Sequence, residues 1–160
     1  MNSVRALNSF YIIVLSIVLV SGFVLQTVRD ESPCLLCFLQ RFAMIAIGIF
    51  IACNLRFGIK KEHYLLSILA ASFGMVVSLW QIHVNLSLSL LSIFYGIKHV
   101  IPYVWTFFIF IIAMIASSVL LFFYRDQESS PMPMTALGYV SVFSLFLMAF
   151  MNVSQLMMGG

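Results

Sequence analysis

Along the chain, apolar residues come in long unbroken runs, and polar residues gather in short clusters between them. Uncharged stretches lie between Arg5 and Arg29, between His63 and His83, between His99 and Arg125, and from Pro131 onward. None alternates with a period of two, and each reaches the roughly 20 residues that a helix needs to cross a hydrocarbon core. One more run must lie between Pro33 and Arg56, and it is long enough only if Arg41 sits inside it. The pattern predicts five helices, approximately Ser9–Val28, Pro33–Leu55, Tyr64–His83, Ile101–Tyr124 and Thr135–Met158. Lipid-exposed backbone must satisfy its own hydrogen bonds, which favours helices for such runs. The expected fold is an all-α membrane protein: a four-helix transmembrane bundle plus a fifth, C-terminal helix, in one integral domain over residues 1–160.

The third connection breaks the pattern. Residues Val84–Val100, "VNLSLSLLSIFYGIKHV", are too apolar for a solvated loop. Asn85, Ser89, Ser92, Gly96 and His99 recur at helical spacing on one face, while Leu86, Leu90, Leu91, Ile93 and Phe94 fall elsewhere. This predicts an amphipathic helix in the membrane interface. A short hairpin packed between helices is the alternative that the pattern leaves open.

Composition agrees. Of the 160 residues, 63% are hydrophobic and 8% charged, against roughly 25% charged in soluble domains. The net charge of +3 is scattered along the chain and gives no basic face for nucleic acid. The first run resembles a signal peptide, but it is too long for one and has no small-x-small cleavage site, so a retained helix is expected. Arg5, Arg56, Lys60, Lys61 and Arg125 fall on one side of the predicted topology, and only Arg29 and Lys98 on the other. The positive-inside bias then makes the N-terminus cytoplasmic and the start of the second helix outward-facing. The fifth run would put the C-terminus outside.

At that outward end stands "SPCLLCFLQR", Ser32 to Arg41. Ser32 is a good N-cap and Pro33 suits the first helical position, so Cys34 is expected in the first turn, where the helix dipole favours a thiolate. Cys37 and Arg41 follow on the same face. A C-x-x-C pair beside a cation at a helix start is a recurring way to make sulfur reactive. An arginine two turns into a membrane is costly and points to function. Three plainer readings compete. A structural disulfide here would close too short a loop to stabilise much. A metal site finds no third cysteine on that side, and His83 and His99 lack zinc-finger spacing. Arg41 could also snorkel to the headgroups. A redox-active pair is favoured over these, although the dipole favours Cys34 as the thiolate and Arg41 favours Cys37.

"PCLLCFLQR" resembles the signature of the DsbB family of bacterial inner-membrane thiol oxidases. The resemblance covers the first four predicted helices, with the pair at the outer end of the second. It implies a quinone-dependent protein disulfide oxidoreductase of the inner membrane, with ubiquinone or menaquinone as cofactor and a DsbA-like periplasmic thiol oxidase as partner. It also implies that Cys34 faces the partner, that Cys37 meets the quinone and that Arg41 holds the quinone head. His83, in "WQIHVN", is similar in position to a family quinone-site residue, and a structural hydrogen-bonding role is the alternative. Two departures stand out. The Val84–Val100 loop lacks the second cysteine pair of well-known members, and a fifth helix is added. Cys53, more than about 20 Å from the pair along the second helix, is expected to be a small apolar core residue. A reductase or relay with reversed electron flow, and a non-enzymatic assembly or metal-handling protein, remain alternatives.

Overall fold

The computed structural model describes residues 2–28, 34–89 and 96–123, with residues 139–140, 142–143, 146–147, 149–151 and 153–154 of the C-terminal stretch. Four long helices follow one another: α1 (Asn2–Val28), α2 (Leu35–Arg56), α3 (Lys61–Ser89) and α4 (Gly96–Phe122). Each carries a segment long and apolar enough to cross a membrane: Ala6–Leu25, Leu35–Arg56, Lys61–Leu86 and Tyr103–Phe122. The described C-terminal residues are helical too, a short fifth helix within 139–154, and Ala149 packs on the bundle core. Among the described residues there is no strand.

Core side chains fall at helical spacing: Ile12, Leu15 and Leu19 on α1; Met44, Ile47, Ile51 and Leu55 on α2; Tyr64 and Ala71 on α3; Phe110, Ala113 and Leu120 on α4. Large residues such as Phe10, Ile17, Leu69 and Trp105 point out of the bundle, where lipid accepts them. Lipid is as apolar as they are, so helix association must come from close packing and interhelical hydrogen bonds. Both occur. Ser67, Ala71, Gly74 and Ser78 form a small-residue face on α3. A Cβ on Gly74 would fall on the ring of Phe110, so α4 closes on α3 only because that side chain is missing. Ser67 and Ser117 bond at 2.9 Å across the same seam. Tyr11 reaches from α1 to the Ala113 carbonyl at 2.9 Å, and Asn8 shares two bonds with the Tyr64 hydroxyl, at 3.0 and 3.1 Å.

The α2–α3 turn is built from sequence as well. Gly58 sits at φ 92, a left-handed position open to glycine, and it ends α2. The buried Asn54 side chain then accepts from the Lys60 amide at 3.0 Å and from His63 Nδ1 at 2.9 Å, setting the entry to α3.

Three boundaries differ from expectation. Helix α1 starts at Asn2 rather than near Ser9, because Asn8 and Ser9 are core residues and not a polar flank. Helix α2 opens at Leu35, with Cys34 as its cap at φ −92, ψ 129. The expected cap Ser32 and first residue Pro33 lie outside the described residues. The Val84–Val100 segment is divided: Val84–Ser89 extends α3, Gly96–Val100 opens α4, and residues 90–95 lie outside the described residues. Asn85 lies in that extension of α3, where its Nδ2 donates to the Gln81 carbonyl one turn back at 2.8 Å.

Candidate functional site

The site lies at the end of the bundle opposite the Arg56–Lys61 turn, where the start of α2 meets the last turns of α3. Cys34 accepts the first helical bond of α2 through its carbonyl, from the Phe38 amide at 3.0 Å. Its side chain makes no capping bond, so the sulfur is not engaged by the helix end. Cys37 lies one turn on, and both residues are half-buried thiols.

From α3, Gln81 meets both sulfurs. Its Nε2 is 3.1 Å from Cys37 Sγ and 3.8 Å from Cys34 Sγ. Gln81 is in turn held by Gln40, whose Nε2 donates to Gln81 Oε1 at 2.7 Å and to Ser78 Oγ at 3.1 Å. Gln81, Gln40 and Ser78 are 1%, 5% and 0% exposed, so this polar cluster is cut off from solvent. The first-turn position of Cys37 and the second-turn position of Gln40, three residues apart, place both on the α3-facing side of α2.

Arg41 follows Cys37 by one turn and is directed toward α1. Its guanidinium donates to the Gly22 carbonyl at 3.3 Å and stands 5.7 Å from the centre of the Phe23 ring. Both are near the C-terminal end of α1, so Arg41 bridges α1 and α2 one turn beyond Cys37. A Cβ on Gly22 would meet no atom within 4 Å, so the surface beside this contact is open.

The predicted residues thus divide. Cys34 and Cys37 come together on one amide, and Arg41 flanks them on the α1 side. His83 lies about 200° around α3 from Gln81 at 3.6 residues per turn. It is exposed and stacks on Trp80, with ring centres 6.2 Å apart and planes at 29°. Cys53 lies in the last turn of α2, about 24 Å from Cys37 along the helix. His99 carries no described side chain. Among the described residues no three of His, Cys, Asp and Glu gather as a metal site. Gln40, Ser78 and Gln81 are not singled out by spacing; the sequence shows only that an amide within an apolar span needs a partner inside the protein, not which one.

A helical membrane protein with a dithiol at one bundle end, held by a buried amide and flanked by a cation, belongs to the class of membrane thiol–disulfide oxidoreductases. Comparison with known families specifies which one. The chain belongs to the DsbB family: the model described as Disulfide bond formation protein DsbB matches residues 4–93, more than half of it. The match runs from α1 through α3 and contains Cys34, Cys37, Arg41 and Gln81. No curated protein and no solved structure matches the chain. Membership makes it a membrane oxidoreductase of disulfide-bond formation, and its four crossing helices fit a multi-pass inner-membrane protein.

Proposed function

We propose that this chain is a quinone-dependent oxidoreductase that reoxidises a soluble periplasmic DsbA-like protein through Cys34 and Cys37. The observation that carries this reading is the pair of sulfurs at one bundle end on a single α3 amide, with Arg41 one turn deeper. A DsbA-like partner has a potential near about −120 mV, so an electron acceptor at least as oxidising must stand behind the pair. A membrane quinone, ubiquinone or menaquinone, meets that demand and supplies the oxidation that restores the disulfide.

The residues suit such a group. Arg41 offers N–H donors for a carbonyl oxygen in an apolar setting, Phe23 offers an aromatic face, and Gly22 leaves space beside them at the exposed surface of the helix. Arg41 and Cys37 would hold the head, and His83, outward beside Trp80, is a further candidate at the rim. Arg41 places positive charge where negative charge develops during reduction.

The steps that fall to this chain are thiol exchange. A partner thiolate attacks Cys34, the Cys34–Cys37 bond breaks, and Cys37 leaves as a thiolate. The partner's second thiol then releases Cys34, leaving the dithiol for reoxidation. Arg56, Lys60 and Lys61 at the opposite end from Cys34 support a cytoplasmic N-terminus and a periplasmic cysteine pair.

Mixed-disulfide trapping tests the assignment. In cells that express a partner lacking its resolving cysteine, Cys37→Ser should accumulate a covalent complex through Cys34, because the sulfur that re-forms the pair is gone. Cys34→Ser should trap little, and Cys53→Ser should leave oxidation intact. A complex formed through Cys37 and not through Cys34 on non-reducing gels contradicts the assignment.

A further inference from the structure

The hydrogen bonds around Gln81 run in one direction. The Ser78 hydroxyl donates its single proton to the Gly74 carbonyl at 2.8 Å, so toward Gln40 its oxygen can only accept. That orients the Gln40 amide nitrogen toward Ser78, and the other proton of the same nitrogen goes to Gln81 Oε1. Gln81 Oε1 is thereby fixed as an acceptor for Gln40, and both protons of Gln81 Nε2 are turned to the cysteines. One backbone carbonyl on α3 therefore sets the polarity of the whole chain. Turning Gln40 over would face acceptor against acceptor, and turning Gln81 over would face donor against donor, in a site where these side chains are buried.

We propose that Gln81 is a catalytic residue, an amide locked as a pure donor that stabilises negative charge on Cys37 Sγ as that sulfur leaves the disulfide. Gln40 and Ser78 are positioning residues that hold it so. The inference rests on the assignment of Cys37 as the leaving sulfur. In the step concerned, the partner thiolate forms a bond to Cys34 Sγ while the Cys34–Cys37 bond breaks. The electron pair of the broken bond stays on Cys37, and no proton or outside oxidant takes part. A sulfur that carries charge gains more from the Gln81 N–H donor at 3.1 Å than one that does not.

The magnitude can be read on Cys37 alone. Hydrogen bonding to an ionised group raises its population about ten- to a hundredfold, and the lower nucleophilicity of the stabilised thiolate takes back nearly half of that on a logarithmic scale. A net change of roughly three- to tenfold in alkylation rate remains. The full chain in detergent, carrying Cys34→Ser and Cys53→Ser, leaves Cys37 as the only thiol for iodoacetamide at neutral pH. Adding Gln81→Met should slow alkylation by that factor. Gln81→Glu, the same shape with an acceptor in place of the donor, should slow it further. Ser78→Ala, which frees Gln40 to turn, should slow it by less. A mere packing role gives the opposite sign, because loosening this end of the bundle exposes Cys37 and speeds the reaction. An unchanged or faster rate in Gln81→Met overturns the proposal. Should that variant not fold, unchanged rates in Gln81→Glu and Ser78→Ala overturn it equally. Alkylation needs neither partner nor quinone, so failure here leaves the trapping result above to be judged on its own.

Discussion

Arg41 concentrates the question at the scale of single residues. A guanidinium that only snorkelled would be turned toward the headgroups, whereas this one is directed across to α1, on the Gly22 carbonyl and near the Phe23 ring. If it stabilises charge on a bound quinone, Arg41→Ala should lower quinone-coupled turnover by roughly a hundredfold, the scale of losing one preorganised donor. Trapping of the partner through Cys34 should change little. Arg41→Lys should restore only part, since a point charge does not replace a planar fork. Turnover in Arg41→Ala equal to the parent at every quinone concentration would show that the arginine serves structure alone. Cys34, Cys37 and Arg41 were legible in the sequence because their spacing on one helix is itself the signal. Gln40, Ser78 and Gln81 were not, because their meaning depends on how α2 and α3 register against each other. In "WQIHVN" the histidine draws attention by its chemistry, yet the helical turn gives the cysteines to Gln81.

At the scale of elements, the existence of four spans could be read from hydropathy, but their ends could not. Hydropathy treats Asn8 and Asn85 as flanks, whereas the bundle uses Asn8 as a core partner for Tyr64 and Asn85 as a bond back onto α3. Asn8, buried by its contact with Tyr64, shows how a polar residue can belong to a helix beyond the apolar window. The α3–α4 seam shows the converse dependence on a missing side chain. Gly74→Ala should lower the thermal midpoint in detergent, because overpacking costs about 1–3 kcal/mol, more than the roughly 1 kcal/mol that alanine adds in helix propensity. Phe110→Leu combined with it should recover part of the loss by withdrawing the ring that the new methyl meets. A midpoint that rises in Gly74→Ala alone would mean that α4 is not packed on α3 at this register.

For the whole molecule, topology follows from charge and helix count together. A periplasm-active reporter fused after Gln127 should be silent and one fused after Gly160 active, because α4 ends at Phe122, Arg125 follows it in the sequence, and helical residues recur within 139–154. Activity after Gln127 would reverse the orientation and put the cysteine pair in the cytoplasm. The family match ends at residue 93, so α4 and the helical residues beyond it stand outside the matched region even though α4 completes the bundle. In the proposed cycle electrons enter at Cys34 and leave through a quinone. Purified protein supplied with a reduced DsbA-like partner and a soluble quinone should reduce the quinone, with one partner disulfide formed for each quinol. Cys34→Ser and Cys37→Ser should both abolish the reaction, and Cys53→Ser should not. Partner oxidation without quinone reduction, or quinone reduction that persists in Cys34→Ser, would contradict it.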